Sequence, residues 1–488
     1  MQQLLVASGP ARSVPFGVGF NWFDFFGMGG HYARSSGYPL NEPVYPDAGD
    51  EQAWASIFEE LGRWSPGTIR FGFPPDPHVS DHGALIRDTE HLARLSRVAE
   101  WAASVGCDIL LDTYVIPEAL GFPVPHDPAR PADECINMAA RDNWEFAERF
   151  VAPLLHHIVV ERGLRAVRWF NPVNEPDHYG VYRIPQGGPD LYCHYVDMYA
   201  EMRQALDAVG LSRDIVGLVG VDKDLPLDWP SFEYLARGID IDPYVDAYAF
   251  HSYRHRFDWS MESPACPDSD PLATLADRWI KRLASQLGRC GKPLVAAEIG
   301  TFHYGWRLGD PNGPATPEAC ILTAEAIIRM LNAGAAGAMV WSLINPDNID
   351  GAWSMLRVED ALVLPSKHTA ATYGMLMRHV PRGSKIHRLV PAVREYPQHV
   401  HGTLLRDPSG HVHVLLVNDH PESPREVTIT LPPDSPVGPW LRRVKDRAGA
   451  SFDVVPPPRN LIIRDRLAPM ALHVFSSDST AIVLPDAD

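Results

Sequence analysis

The chain has 488 residues, 45% of them hydrophobic, so it is long and apolar enough to bury more than one small domain's core. Its 61 acidic residues against 43 basic ones leave a formal charge of -18, which argues against general affinity for nucleic acid or anionic membrane surfaces and favours an uncharged partner.

The first segment, "QQLLVAS" (Gln2 to Ser8), has strand character but neither a basic n-region nor a signal-peptide core behind it, and no window approaches a membrane span. The chain is therefore expected to carry no export signal, which favours the cytoplasm and leaves the compartment open. Eight short runs rich in β-branched and aromatic residues follow. They are "FGVGFNWFDF" (Phe16 to Phe25), "TIRFGF" (Thr68 to Phe73), "CDILLDTYV" (Cys107 to Val115), "VRWFNPVNE" (Val167 to Glu175), "IVGLVGVD" (Ile215 to Asp222), "YVDAYAFHSY" (Tyr244 to Tyr253), "PLVAAEIGTF" (Pro293 to Phe302) and "GAMVWSLIN" (Gly337 to Asn345). Between them, segments such as "HLARLSRVAEWAASVG" and "ACILTAEAIIRMLNAGA" repeat apolar residues at three- and four-residue steps, the helical period. Strand and helix alternating in this way imply parallel strands joined by helical crossovers, and eight repeats close a (β/α)8 TIM barrel. Two Pro-rich stretches, "PEALGFPVPHDPARPADE" after the third strand and "RHRFDWSMESPACPDSDP" after the sixth, are too irregular for helix and are expected to frame a cleft.

Past Arg378 the pattern changes to short alternating strands cut by Pro, Gly and Asp: "HVHVLLVND", "REVTITLP", "LRRVKDR" and "ALHVFSS". The expected organisation is a catalytic barrel over 16–378 and an antiparallel β-sandwich over 379–488, to which residues 1–15 offer a further strand. The pair His411 and His413 resembles metal ligands but alternates along a strand with no third ligand nearby, and reads as surface. Six scattered cysteines form no CxxC pair and read as reduced thiols.

In such a barrel, side chains at the C-terminal ends of the strands converge on one mouth. Those ends offer Arg70 in the second strand, Asn174 and Glu175 after the fourth, His251 and Tyr253 after the sixth, Glu298 in the seventh and Trp341 in the eighth. Two carboxylates on separate strands then face one cavity. That is the equipment for glycosidic bond cleavage: one protonates the departing oxygen and the other attacks or stabilises the electron-poor anomeric carbon.

The motif order "IRF", "NPVNEP", "FHSY", "LVAAEIGTF" and "VWS" resembles the clan A retaining glycoside hydrolases, and within the clan it looks most like families 39 and 5. The resemblance implies a retaining β-glycosidase with Glu175 as acid/base, Glu298 as nucleophile, Asn174 as the contact to the sugar 2-hydroxyl and Tyr253 as the nucleophile's partner. It also implies Arg70 as the nucleophile's charge neighbour and Trp341 as a sugar platform. No metal or organic cofactor is expected, and the partner is a carbohydrate. "GGH" at His31 and "TFHYGW" (Thr301 to Trp306) are further candidate contacts.

Each residue also has a plainer reading. Glu175 could cap a helix, since "NEPD" is turn chemistry. His251 reads equally as a core histidine, Arg70 as a structural ion-pair partner and Trp341 as a plug at the barrel top. Glu298 interrupts an apolar run, where a buried charge without purpose is costly. Two other functions share the pattern. A carbohydrate-binding barrel without turnover would bind sugar and release no product, and a metal-dependent barrel hydrolase would need clustered His and Asp ligands at strand ends.

Overall fold

The computed structural model describes residues 2–22, 46, 48–73, 78–80, 84–113, 116, 119–122, 139–176, 188–224, 238–254, 291–301, 315–344, 354–359, 362–393 and 399–478. Two short strands, β1 (Gln2–Val6) and β2 (Arg12–Val14), precede eight parallel ones. These are β3 (Gly17–Trp22), β4 (Thr68–Gly72), β5 (Asp108–Asp112), β6 (Val167–Asn171), β7 (Gly217–Asp224), β8 (Ala247–Arg254), β9 (Leu294–Thr301) and β10 (Gly337–Val340). They pair in sequence order and β10 returns to β3, which closes the barrel. All eight coincide with the runs read from sequence, although β8 extends to Arg254, so His251 and Tyr253 lie within that strand rather than after it.

Local chemistry sets the connecting helices. Thr89 accepts a hydrogen bond from Leu92 N to start the helix Glu90–Val105, and Gly106 ends it at φ 74°. Thr316 likewise caps Pro317–Ala333, with Pro317 in the first turn, where its missing N–H costs nothing. The barrel interior is packed with Phe16, Leu110, Val219, Ala249, Val295 and Met339, so the barrel is filled beneath its polar upper end.

Beyond a hairpin of β11 (Leu356–Glu359) and β12 (Leu362–Pro365), the helix Thr369–His379 leads into the second domain. Its strands are β13 (Ser384–Pro391), β14 (Val400–Arg406), β15 (Val412–Asn418), β16 (Arg425–Thr430), β17 (Trp440–Lys445), β18 (Ala450–Val455), β19 (Ile462–Leu467) and β20 (Ala471–Ser476). They pair antiparallel around a core that includes Leu404, Val414, Ile429, Trp440 and Phe475. β1 joins this sheet between β13 and β16, and its pairing with β16 is parallel. One reading needs correction. His413 is not on the surface: it is 2% exposed, and its Nδ1 lies 3.3 Å from His379 Nδ1 on the last barrel helix, because that helix covers this part of the sheet.

Cys107, Cys193 and Cys320 are free thiols; Cys135, Cys266 and Cys290 lie outside the described residues. So do nearly all of the two Pro-rich loops, His31, and 302–306 of the "TFHYGW" segment. Among the described residues, no helix is long and apolar enough to cross a membrane.

Barrel closure makes a testable demand. A Cβ on Gly19 of β3 would collide with the Thr68 carbonyl oxygen of β4, whereas one on exposed Gly62 in the helix Glu51–Trp64 meets nothing within 4 Å. Gly62→Ala should therefore stabilise the fold by about 0.5–1 kcal/mol through helix propensity and unfolded-state entropy. Gly19→Ala should destabilise it by more than that, with chemical denaturation of both variants as the check.

Candidate active site

Arg70 sits at the centre of the polar upper end, on β4, with no exposed surface. Its Nη1 donates to Glu298 Oε1 at 2.5 Å and to Asn21 Oδ1 at 2.9 Å. Its Nη2 donates to Asp222 Oδ2 at 2.7 Å and to Asn174 Oδ1, and lies 2.8 Å from Asp112 Oδ2. One guanidinium thus gathers side chains from β3, β5, β7, β9 and the segment after β6. Asn21 turns its amide the other way, to the carbonyls of Ala297, Met339 and Val340, and so ties β3 to β9 and β10.

Glu298 reaches this cluster through a break in strand alternation. Val295 and Ala297 line the barrel interior while Ala296 and Ile299 face the helices. Strict alternation would turn Glu298 outward as well. Between Phe250 and His251 of β8 the partner on β9 jumps from Ala296 to Glu298, and Ala297 becomes an extra residue. A bulge of this kind re-aims the next side chain, here into the mouth.

Glu175 is positioned by backbone rather than by a strand. It adopts φ 41°, in the left-handed region that non-glycine residues seldom occupy, and its N–H donates to Asp222 O at 2.9 Å while Asn174 N donates to Thr113 O at 3.1 Å. The residue is 9% exposed, and its side chain meets His251, whose Nδ1 lies 2.6 Å from Glu175 Oε1. His251 Nε2 lies 3.0 Å from Asp222 Oδ1, and Nδ1 is also 3.5 Å from Glu298 Oε2. One atom each from Glu175, His251 and Glu298 falls within 4.8 Å of the other two.

Burial alone would discharge these groups, so their charges depend on one another. Burial favours neutral His251, yet Glu298, Asp222 and Glu175 outweigh it and raise the imidazole well above its ordinary 6.5. Burial also opposes ionisation of Asp222, but Arg70 and His251 overcome it and hold the carboxyl at about 2. For Asp112 burial wins over the pull of Arg70 and raises it well above the usual carboxylate range.

Glu175, Glu298, Arg70, Asn174 and His251 are thus brought together. Trp341 follows β10 directly and is 6% exposed. Tyr253 pairs with Gly300 along β8, and its side chain lies outside the described residues. Both nitrogens of His251 face carboxylates, which leaves neither for the sugar contact that its position at a strand end suggests. Sequence reasoning passed over Asp112, Asp222, Asn171 and Asn21. Asn171 donates to Asp222 Oδ2 at 2.5 Å and to Asp112 Oδ1, holding the two acids side by side. The signal was present: both aspartates close apolar strand runs, as Glu298 interrupts one.

No protein-family model matches the sequence, and no curated protein sequence does. Solved structures match along nearly the whole chain. An endoxylanase of glycoside hydrolase family 30 from Clostridium papyrosolvens aligns with a TM-score of 0.62 at 11% identity, over 97% of this chain and 99% of that one. A family 51 arabinofuranosidase from Xanthomonas axonopodis pv. citri aligns at 0.58 and 11%, over 98% and 100%. A family 44 xyloglucanase from Paenibacillus polymyxa aligns at 0.54 and 11%, over 97% and 99%. The families in these matches are 30, 51 and 44 rather than 39 or 5, and the fold they share with this chain is that of the clan A glycoside hydrolases.

Proposed function

We propose that the protein is a retaining glycoside hydrolase that cleaves β-glycosidic bonds by double displacement. The observation that carries this reading is the approach of Glu175 and Glu298, from two different strand ends, to within 4.8 Å of each other across His251. Retaining enzymes hold their two carboxyl groups about 5–5.5 Å apart, and inverting ones about 6.5–9.5 Å apart to admit a water. Glu298, ion-paired to Arg70, attacks the anomeric carbon as Glu175 gives its proton to the departing oxygen. Glu175 then takes a proton from the water that releases the sugar. Asn174 supplies the 2-hydroxyl contact and Trp341 an apolar wall; the resemblance assigns Tyr253 as the nucleophile's partner.

His251 has a role that the resemblance did not specify. During the first displacement Glu298 loses its negative charge to an ester, and Glu175 acquires one by giving up its proton. The imidazolium lies against both, 3.5 Å from one and 2.6 Å from the other. The charge therefore leaves one side of a fixed cation and appears on its other side, which lowers the barrier without reorganisation. Asp222 holds the second ring nitrogen and keeps the ring charged.

Three outcomes follow for aryl xylosides, glucosides and arabinofuranosides, chosen because the structural neighbours include a xylanase, a xyloglucanase and an arabinofuranosidase. Glu175→Ala should lose activity on poor leaving groups while sparing good ones, which need little protonation; equal loss on both would refute the acid role. NMR of the first product should show the substrate's own anomeric configuration, and the opposite configuration would rule out double displacement. A carbohydrate-binding barrel without turnover would release no product from any of the panel.

His251→Gln should lower kcat/KM by about 10²–10³. It should also change the stability profile with pH. A pKa raised in the folded state stabilises fully below the unfolded value near 6.5 and loses that stabilisation as pH rises through the folded value. The wild type should therefore exceed His251→Gln in stability most below pH 6.5, and urea melts should show the gap closing as the solution becomes alkaline.

A further inference from the structure

A second ligand-bearing cluster lies between the two domains, away from the strand ends. Glu325 is on the barrel helix Pro317–Ala333, His401 is on β14, and Asp419 follows β15. The helix packs on β14, and Asn332 near its end donates to Gly402 O at 2.8 Å. One atom from each of Glu325, His401 and Asp419 lies within 4.8 Å of the others.

His401 is the informative member. It is 8% exposed, and its Nε2 is buried and makes no hydrogen bond. That nitrogen is aimed between two carboxylates, 3.5 Å from Glu325 Oε1 and 3.7 Å from Asp419 Oδ2. These separations are long for hydrogen bonds. The shorter matches the edge of a tetrahedron around one ion, since bonds of about 2.0–2.2 Å place neighbouring ligands roughly 3.3–3.6 Å apart, and the longer slightly exceeds it. Both carboxylates are also held from behind. Arg329 donates to Glu325 Oε1 at 2.8 Å, and His399 Nδ1 lies 2.7 Å from Asp419 Oδ1 while Asp419 Oδ2 is the oxygen that faces His401. Two carboxylates face one guanidinium in the cluster, an excess that favours a cation.

We propose that Glu325, His401 and Asp419 bind a divalent transition metal of the zinc class and thereby fasten the barrel to the sandwich. An imidazole with two carboxylate oxygens suits zinc and excludes the all-oxygen preference of magnesium and calcium. Water completes the fourth position beside partly exposed Asp419. The ion is structural and takes no part in bond cleavage.

The test uses the full chain, stripped with chelator and dialysed against zinc alone. The wild type should retain one equivalent more metal than His401→Gln or Asp419→Asn; taking this difference removes any zinc held by Glu175, His251 and Glu298. At a hundredfold excess over Kd, zinc should raise the wild-type melting temperature by about 2–5 °C and leave both variants unmoved by this site. Because a variant could misfold, cobalt in His251→Gln, which lacks the imidazole of the other cluster, provides an independent reading beside the wild type, with the intense visible bands of a four-coordinate ion expected in both. Equal metal content in the wild type and the folded variants, or a wild type that retains no metal and shows no cobalt bands, overturns the proposal.

Discussion

A guanidinium with no exposed surface must find its counter-charges inside the protein, and Arg70 finds them in Asp222 of β7 and Glu298 of β9. An unpaired charge in that position would cost several kcal/mol, and removing one partner from a buried ion pair typically costs about 3–5 kcal/mol. The upper barrel is therefore constrained by one cation. Asp112, Asp222 and Glu298 stay near it because it is there, while Asn21 and Asn174 use their amide oxygens to fill its remaining donors. The same arrangement prepares the proposed chemistry, since Glu298 can remain charged in a buried mouth only beside such a partner.

Two departures from regular backbone deliver the glutamates to this cation. The extra residue on β9 turns Glu298 inward, and the positive φ of Glu175 swings its side chain over His251. Asp222, also at positive φ (53°), is the extra residue where β7 and β8 shift register. Conformations of this kind cost of order 1–3 kcal/mol each and persist where surrounding contacts over-determine them. Here the contacts are mutual: Glu175 N–H binds the Asp222 carbonyl, and both side chains hold His251. Disturbing either carboxylate therefore alters the charge on the imidazole and the aim of the other.

Much of this architecture was legible from periodicity. The eight strand runs, the helices with apolar residues at three- and four-residue steps and the change to short alternating strands after Arg378 are local signals, and local signals survive folding. The β1 segment could be seen as a strand, but its parallel partner β16 lies more than 400 residues away and no local pattern encodes that choice. The site was partly legible because charged residues ending apolar runs are conspicuous: Glu298, Arg70 and Glu175 stand out in that way. Asp112 and Asp222 met the same criterion, yet their value depends on facing Arg70, which is a property of barrel closure. The aim of Glu298 was not legible, since alternation points it outward and only the bulge reverses it. His413 was misread because a strand's exposed face in sequence became a buried one once the helix Thr369–His379 packed over it.

The central claim is that Glu298, held by Arg70, forms a covalent bond to the sugar. A fluorinated glycoside with an activated leaving group slows release of that intermediate, and peptide mass analysis of the inactivated protein locates the attached sugar. The account predicts a single label on Glu298; a label on any other residue, or brisk turnover with no label, would contradict it.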